Sequence, residues 1–264
     1  MKVVIPSKGR ADIICSHLLF PDAYVVVHNE EEAKEYRKNK IKNLVVSNTP
    51  YGISFQRQWI IDNLIDKDEW FLTADDNIEY FTGVEEPFYS KELASIKEHF
   101  DSRISIDRAW EIINDTMNKS EELGVKYAGF ATNPNWYFRD KKFRYVGYVI
   151  SKLALIKKSN IPYDPKIQAM DDYGYTAENL LRFGKVLINN YLFPMGKHYQ
   201  KGGIGTYKER SPKKREDCIY LMNKYPDLFR YKIKSGCDPK AELQVRFSNL
   251  KQVNLWRKKI LKLA

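Results

Sequence analysis

The stretch WFLTADDNIEYF, residues 70–81, joins an uninterrupted apolar run to two aspartates and an asparagine. Such a run predicts a strand that is buried on both faces of a sheet. Three earlier runs have the same character: KVVIP from residue 2, AYVVVH at 23–28 and NLVVS at 43–47. We therefore predict four buried strands, the last of which ends on charged residues.

The segments between these strands have helical character. NEEEAKEYRKNK is polar and rich in helix-forming residues. YGISFQRQWIIDNLIDKDE places Ile60, Ile61 and Leu64 on one face of a helix. Strands that alternate with helices in this way predict an α/β fold with a mostly parallel sheet flanked by helices.

The pattern continues less regularly after the fourth strand. A helix is predicted within 90–124, a strand at 127–132, and either two strands or a strand and a helix within 143–159. AENLLRFGKVLINN, residues 177–190, predicts a helix that stops at Gly184 and runs into a further strand.

The C-terminal segment differs from the rest in charge. The chain carries 44 Lys and Arg against 34 Asp and Glu, and the whole excess of ten lies in residues 206–264. We predict a domain at 1–205 and a basic, mainly helical extension at 206–264 that packs on it and contacts the acceptor. ERSPKKRED is expected to be a loop, and NLKQVNLWRKKILKL an amphipathic helix. The alternative interpretation of the extension is a solvated basic surface.

Composition bounds the class of protein. With 264 residues, of which 43% are hydrophobic, the chain can bury a core of one large domain or one and a half. No apolar run approaches the roughly 18 residues of a membrane span, and the N-terminus has no signal-type apolar region. Three cysteines, Cys15, Cys218 and Cys237, show no metal-type spacing. A soluble protein of the reducing cytoplasm is expected.

Polar residues follow three of the predicted strands, at the sheet edge where α/β proteins bind ligands. They are the PSKGR segment with Ser7 and Arg10, then Arg57, then ADDN at 74–77. The oxygens of ADDN suit Mg²⁺ or Mn²⁺ that is shared with substrate phosphates. The alternative is an Asx turn or a helix N-cap.

Arg57 is predicted in the first turn of a helix that begins near Ser54, where a cation is disfavoured by the helix dipole. A bound phosphate would compensate, with Arg57 as a bidentate partner. The alternative is an exposed arginine that is paired with a carboxylate.

Two later segments offer further chemistry. AMDDYGYTAENLL supplies Asp171 and Asp172, adjacent carboxylates of which one can act as a general base, although capping of a helix is an equally simple explanation. KHYQKGGIG places His198 beside three glycines that can close over a diphosphate. His198 is a candidate third metal ligand, with Lys197 or Lys201 for phosphate charge, unless it is simply a packed or exposed histidine.

The order of these motifs resembles the GT-A glycosyltransferases, which use nucleotide-sugar donors. The matching segments are VVIPSKGR, GISFQRQWI, WFLTADDNI, YVGYVISKLALIKK, DPKIQAMDDYGYTAENLLRFGKVLI and KHYQKGGIG, and they span about residues 2–206. Within that superfamily the chain is most similar to the phage-type, TET-associated glycosyltransferases, which modify hydroxymethylated pyrimidines in DNA. Asn77 departs from their third aspartate and puts metal dependence in doubt.

The resemblance implies an inverting transfer of a hexose or pentose from a nucleoside-diphosphate sugar, with uridine diphosphate expected, to hydroxymethylated pyrimidine in double-stranded DNA. It implies Mn²⁺ or Mg²⁺ as cofactor and no obligate protein partner. Asp172 would be the catalytic base, with Asp171 as its rival. The implied donor-binding residues are Pro6, Ser7, Arg10, Arg57, Asp75 and Lys201; the metal ligands are Asp76, Asn77 and His198; the DNA contacts are Lys213, Lys214, Arg215, Arg257 and Lys258.

Three alternatives remain open from the sequence. In the first, the chain is a GT-A glycosyltransferase whose acceptor is a glycan, lipid or protein, and the basic extension docks on an anionic membrane surface. In the second, the chain is a non-catalytic nucleic-acid-binding protein whose aspartates only cap turns. In the third, it is a nucleotidyltransferase, which would share the metal and phosphate sites.

Overall fold

The computed structural model describes residues 1–39, 41–83, 103–134, 142–197, 202–232 and 244–247. Its strands are β1 Lys2–Pro6, β2 Tyr24–Val27, β3 Asn43–Val46, β4 Trp70–Ala74, β5 Tyr80–Gly83, β6 Arg103–Ile104, β7 Tyr127–Phe130, β8 Phe143–Arg144, β9 Leu153–Lys157, β10 Leu187–Asn189, β11 Leu192–Met195, β12 Phe229–Lys232 and β13 Gln244–Phe247. Its helices are α1 Ser16–Leu19, α2 Glu30–Arg37, α3 Ile53–Asn63, α4 Ile106–Glu122, α5 Asp171–Phe183 and α6 Tyr207–Lys224.

Eight of the described strands form one central sheet in the order β3-β2-β1-β4-β9-β7-β10-β8. The first four are parallel, with Val4 of β1 aligned with Tyr24 of β2 and Thr73 of β4. β9 runs antiparallel between β4 and β7, and β8 is antiparallel to β10. The prediction of a mostly parallel α/β sheet flanked by helices is confirmed, while the antiparallel position of β9 was not predicted.

The helices cover both faces of the sheet because its parallel strands alternate their side chains between two cores. Val3 and Ile5 of β1 belong to the core on one face, and Val4 belongs to the core on the other. The Val3 face packs against α2 and α4, and the Val4 face packs against α3, α5 and α6. Burial on two sides explains why these strands are continuous apolar runs.

The start of α5 differs from the sequence prediction. The helix begins at Asp171, six residues before the predicted start at 177, so both aspartates occupy its first turn rather than the loop before it. Its end agrees, because Gly184 adopts a left-handed conformation with φ 69° and stops the helix before β10. Glycine adopts that conformation without a steric penalty.

The C-terminal extension is organised differently from the prediction. ERSPKKRED, expected to be a loop, lies inside α6, which starts with a capping box between Thr206 and Glu209. Cys218 and Leu221 of α6 are buried in the core that α5 also joins. Paired strands β12 and β13 follow α6, where only helix was expected, and the predicted final helix lies outside the described residues.

Two other predictions were resolved by the structure. The helix expected within 90–124 appears as α4, while residues 84–102 lie outside the described part. The segment 143–159 forms two strands, β8 and β9, rather than a strand and a helix. Within the described ranges, none of the helices is long and apolar enough to cross a membrane.

Candidate active site

The carboxyl ends of the parallel strands open into a cavity of about 610 Å³. Its walls come from the loops after β1, β2, β3 and β4, from the segment before β9, from the loop before α5, and from the start of α6. Seven Lys or Arg residues and four Asp residues line it. The formal excess of three positive charges favours an anionic ligand.

Asp76, directly after β4, is buried in a set of polar contacts inside the sheet edge. Its Oδ1 pairs with Arg10 Nη1 at 2.5 Å, and its Oδ2 accepts a hydrogen bond from Ser7 Oγ at 2.5 Å. Tyr36 OH contacts Ser7 Oγ at 2.7 Å and accepts from the backbone amide of Arg10 at 3.0 Å. The buried strand can therefore end on charge because Arg10 neutralises it locally.

The turn after β4 is held by the start of α1. Ser16 Oγ donates to the carbonyl of Asp75 at 2.6 Å and accepts from the amide of Ile78 at 2.6 Å. This leaves the Asp75 side chain 41% exposed on the cavity wall. Desolvation by the surrounding protein raises the pKa of Asp75, although Arg57 opposes that shift.

Arg57 is the fifth residue of α3, which begins at Ile53, so it lies just past the first turn in which it was predicted. Its guanidinium is buried between two carboxylates. Nη1 lies 2.9 Å from Asp171 Oδ2, and Nη2 lies 3.6 Å from Asp75 Oδ1. These carboxylates supply the negative charge that the sequence argument assigned to a bound phosphate.

Asp172 is the carboxylate with the strongest catalytic features. The hydroxyl of Tyr148 donates to Oδ2, and the backbone amide of Tyr173 donates to Oδ1 at 3.0 Å. The rings of these two tyrosines stack with centroids 3.8 Å apart. Burial, and then the charge of Asp171, raise the pKa of Asp172 to about 7. A carboxylate that titrates near neutrality is suited to proton transfer.

An aromatic group lies on the part of the cavity wall that follows β2 and β3. Tyr51 is 59% exposed, and its ring centroid is 5.1 Å from that of His28. Lys8 Nζ lies 4.3 Å from the Tyr51 centroid. Burial, and then Lys8, lower the pKa of His28 to about 4, so His28 is neutral at physiological pH. A cationic, aromatic surface of this kind can bind a flat anionic ligand.

The glycine-rich segment packs against the loop after β1. The amide of Gly203 donates to the carbonyl of Lys8 at 2.8 Å. Gly202 has φ 80°, and a Cβ there would lie 2.5 Å from the carbonyl oxygen of Gly9, so only glycine fits. Gly203 and Ile204 line the cavity. His198 and Lys201, predicted beside this segment, lie outside the described residues.

The predicted metal ligands were tested against these contacts. Both oxygens of Asp76 already accept from Arg10 and Ser7, and Asn77 Nδ2 donates to the carbonyl of Lys197 at 2.5 Å. Asn77 Oδ1 is buried and has no hydrogen-bond partner in the described part of the chain. No group of three His, Cys, Asp or Glu side chains among the residues described could hold a metal ion. The described residues alone do not fit a metal site.

The predicted DNA contacts fall in different places. Lys213 lies on α6 and lines the cavity, together with Arg210. Lys214 is partly buried and Arg215 is exposed, while Arg257 and Lys258 lie outside the described residues. Phe229, an aromatic residue of the same basic extension, is 2% exposed and belongs to the core, so it is not available to stack on a base.

The structure thus gathers most of the residues that the sequence singled out around one cavity: Pro6, Ser7, Arg10, Arg57, Asp75, Asp76, Asp171, Asp172 and Lys213. Sequence reasoning missed Lys8, His28, Tyr51 and Lys152. Lys8 lies within the PSKGR segment and His28 is the last residue of the predicted strand at 23–28, so the edge rule could have included both. Lys152 Nζ faces the carbonyl of Gly196 at 3.4 Å, which no sequence pattern indicates.

Comparison with protein families matches residues 1–203 to the TET-associated glycosyltransferase model. The chain belongs to the TET-associated glycosyltransferase family. It is therefore a glycosyltransferase, as its motifs predicted. A search of curated protein sequences gave no significant match.

Three solved structures resemble this glycosyltransferase at low sequence identity. The one described as "Crystal Structure of a Mycobacterial Protein" has 10% identity and a TM-score of 0.50, covering 93% of this chain and 82% of that chain. S. aureus TarS 1-349 has 12% identity and a TM-score of 0.40, covering 84% and 66%. A197 from STIV has 13% identity and a TM-score of 0.38, covering 75% and 86%. Only the first likeness is strong enough to support the fold.

Proposed function

We propose that the chain transfers a sugar, with inversion, from a nucleoside-diphosphate sugar to the hydroxyl of a hydroxymethylated pyrimidine in DNA. The observation that carries this proposal is the position of Asp172. It is a carboxylate with a pKa of about 7, and it lines the same cavity as an excess of cationic side chains. Membership of the TET-associated family supports the choice of donor and acceptor class.

The cavity offers partners for each part of the donor. The exposed ring of Tyr51, beside neutral His28, offers a stacking surface for the base of the nucleoside, which we expect to be uridine. Lys152 and Lys213 also line the cavity, and we assign them to the diphosphate. The sugar would then lie near Asp75 and Arg57, with its anomeric carbon toward Asp172.

The chemistry is a single displacement. The acceptor hydroxyl oxygen attacks the anomeric carbon from the face opposite the nucleotide, and Asp172 takes the hydroxyl proton. The bond from the anomeric carbon to the diphosphate oxygen breaks, and the nucleoside diphosphate leaves with the electron pair. Because the base activates an external nucleophile, one displacement inverts the centre.

The contacts of Asp171 support the choice of Asp172 as the base. Asp171 pairs with the buried guanidinium of Arg57 at 2.9 Å, so its charge is already balanced. Asp172 has no cation at ion-pair distance among the described residues and instead accepts from a tyrosine hydroxyl and a backbone amide. We therefore assign proton transfer to Asp172, and assign to Asp171 the placement of Arg57.

Mn²⁺ or Mg²⁺ stays a prediction, because the described residues do not by themselves fit such a site. When bound, either ion would neutralise the negative charge of the leaving diphosphate. The role of His198 depends on residues outside the described part. Turnover with EDTA, with Mn²⁺ and with Mg²⁺ tests it directly: unchanged turnover in EDTA would remove the metal from the mechanism.

DNA as acceptor is supported by the family and by the charge of the extension. In this proposal residues 1–205 bind the donor together with Lys213, and the rest of the basic extension 206–264 contacts the DNA backbone. A stacked base cannot reach a cavity at the sheet edge, so the modified pyrimidine would have to be flipped out or presented from a groove. Contacts to phosphates predict binding that weakens steeply with salt.

The test is intact-mass analysis of nucleosides after incubation with duplexes that contain hydroxymethylcytosine, hydroxymethyluracil or only unmodified bases. A panel of nucleotide sugars and Mn²⁺ is supplied, and the Asp172→Asn chain is the matched control. A hexose- or pentose-sized gain on one hydroxymethylated base, absent with Asp172→Asn, is expected. Release of nucleoside diphosphate without modified DNA would move the acceptor to a glycan, lipid or protein. If neither modified DNA nor free nucleoside diphosphate is formed, the transfer proposal is refuted.

A further inference from the structure

Asp217 of α6 is a buried carboxylate that the mechanism above does not use. Only 2% of its surface is exposed. It accepts hydrogen bonds from the backbone amides of the three consecutive residues 168–170, with its Oδ2 at 3.1, 2.6 and 3.0 Å from the three nitrogens. This segment leads directly into α5, whose first two residues are Asp171 and Asp172.

Asp217 accepts from the amides that lead into α5. The N-cap residue of the helix is Met170, whose own side chain makes no capping hydrogen bond. Each buried amide left without an acceptor would cost about 1–3 kcal/mol. Asp217 supplies the acceptor from another helix, through charge-assisted hydrogen bonds that are stronger than neutral ones.

Other contacts tie α6 to the same region and limit how far the segment can move. Tyr220 OH donates to Asp164 at 2.7 Å, before the segment, and Tyr225 OH donates to Glu178 at 2.5 Å, within α5. Asp217 precedes these two tyrosines in the chain and lies ten residues after the start of α6 at Tyr207. The C-terminal part of α6 is thus bonded to residues on both sides of Asp171 and Asp172 in the chain, and Asp217 holds the point of entry into α5.

We propose that Asp217 is a positioning residue for glycosyl transfer: by holding the backbone of residues 168–170, it sets the place of Asp172 on the cavity wall. The proposal rests on the proposed function of that cavity. It also assigns part of the site to α6, which begins at residue 207 and so lies beyond the segment 1–203 that the family model matches.

The test compares Asp217→Ala and Asp217→Asn with Glu216→Gln, in the full chain. Glu216 is exposed on the same helix, so its substitution removes one negative charge without touching residues 168–170. Turnover is measured with the nucleotide sugar and hydroxymethylated duplex that the unmodified chain uses. Amide hydrogen exchange of residues 168–172 is measured in parallel and needs no ligand.

In Asp217→Ala we expect kcat to fall by about 100-fold, because a displacement of the base by about 1 Å has an effect of that order. The donor KM should stay within about twofold, since the donor pocket is unchanged. Exchange should rise at 168–172 only. Asp217→Asn keeps an acceptor oxygen and should recover part of kcat, while Glu216→Gln should match the unmodified chain.

Three results would overturn the proposal: kcat of Asp217→Ala within about twofold of Glu216→Gln, a loss of kcat with unchanged exchange at 168–172, or faster exchange throughout α5 and α6. The last would mark loss of folding rather than of position. If the unmodified chain transfers no sugar, the proposed function fails. The amide hydrogen exchange of residues 168–172 then still decides whether Asp217 holds the backbone of residues 168–170.

Discussion

Replacing Asp172 by asparagine should abolish most of the activity and at the same time stabilise the protein at alkaline pH. The asparagine is nearly isosteric, and its amide oxygen can still accept from Tyr148. It can neither take a proton nor carry a charge. Loss of a general base lowers kcat by about 10²–10⁴-fold.

The stability effect follows from the raised pKa. The folded-state pKa of Asp172 is about 7, above its ordinary value of 3.8, so the folded protein keeps a proton that the unfolded chain releases. Wild-type stability therefore falls as pH rises from about 4 to about 7, and the loss stays constant above that range. A pKa shift of this size lowers the free energy of unfolding by at most about 4 kcal/mol above pH 7. Asp172→Asn should recover that free energy at pH 8 and should gain none at pH 4.

The assay is urea unfolding of both chains at pH 4, 6 and 8, combined with the pH dependence of kcat/KM. Wild-type kcat/KM should fall tenfold per unit below a pH of about 7. Asp171→Asn is the contrasting variant, because it leaves the buried Arg57 without its partner at 2.9 Å and should destabilise at every pH. If Asp172→Asn destabilises equally at all three pH values, or keeps wild-type kcat, the reasoning about this carboxylate is wrong.

Four further substitutions separate structural from functional roles. Asp76→Ala should lower the free energy of unfolding by about 3–5 kcal/mol, measured in urea with and without Mn²⁺, because the buried Arg10 loses the carboxylate with which it pairs at 2.5 Å; a small change that appears only with Mn²⁺ would instead favour a metal role. Tyr51→Ala should weaken binding of uridine diphosphate in calorimetry by about 1–3 kcal/mol, the usual worth of base stacking, and unchanged affinity would place the base elsewhere. Lys213→Ala should raise the donor KM, because Lys213 lines the cavity. Arg215 is exposed on the same helix, so Arg215→Ala should weaken only DNA binding. If each substitution affects the donor and the DNA equally, the assignment of Lys213 to the cavity is contradicted.

The family-level prediction worked because its signals are local. A buried parallel strand shows itself as a continuous apolar run, and the loops after such strands meet at one edge whatever the details of packing. Ser7, Arg57 and Asp75 could therefore be predicted to lie close together, whereas Asp172 was placed with them only by the family resemblance. The prediction of a loop at ERSPKKRED was wrong. The local preference of Pro212 and of the charged residues for a loop is outweighed by the burial of Cys218 and Leu221, which pack with α5 in one core.

By itself, the sequence determined the parallel α/β sheet, the edge at which the site lies and the family to which the chain belongs, since strand periodicity and motif order need no knowledge of distant contacts. Only the tertiary structure decided the partners and the charge balance of each carboxylate. Asp76 is neutralised by Arg10, Asp171 by Arg57, and Asp172 is left with a raised pKa, while Asp217 reaches the site from another helix. Adjacent aspartates look alike in a sequence, and their charge states depend on burial and on partners that are brought near only by folding.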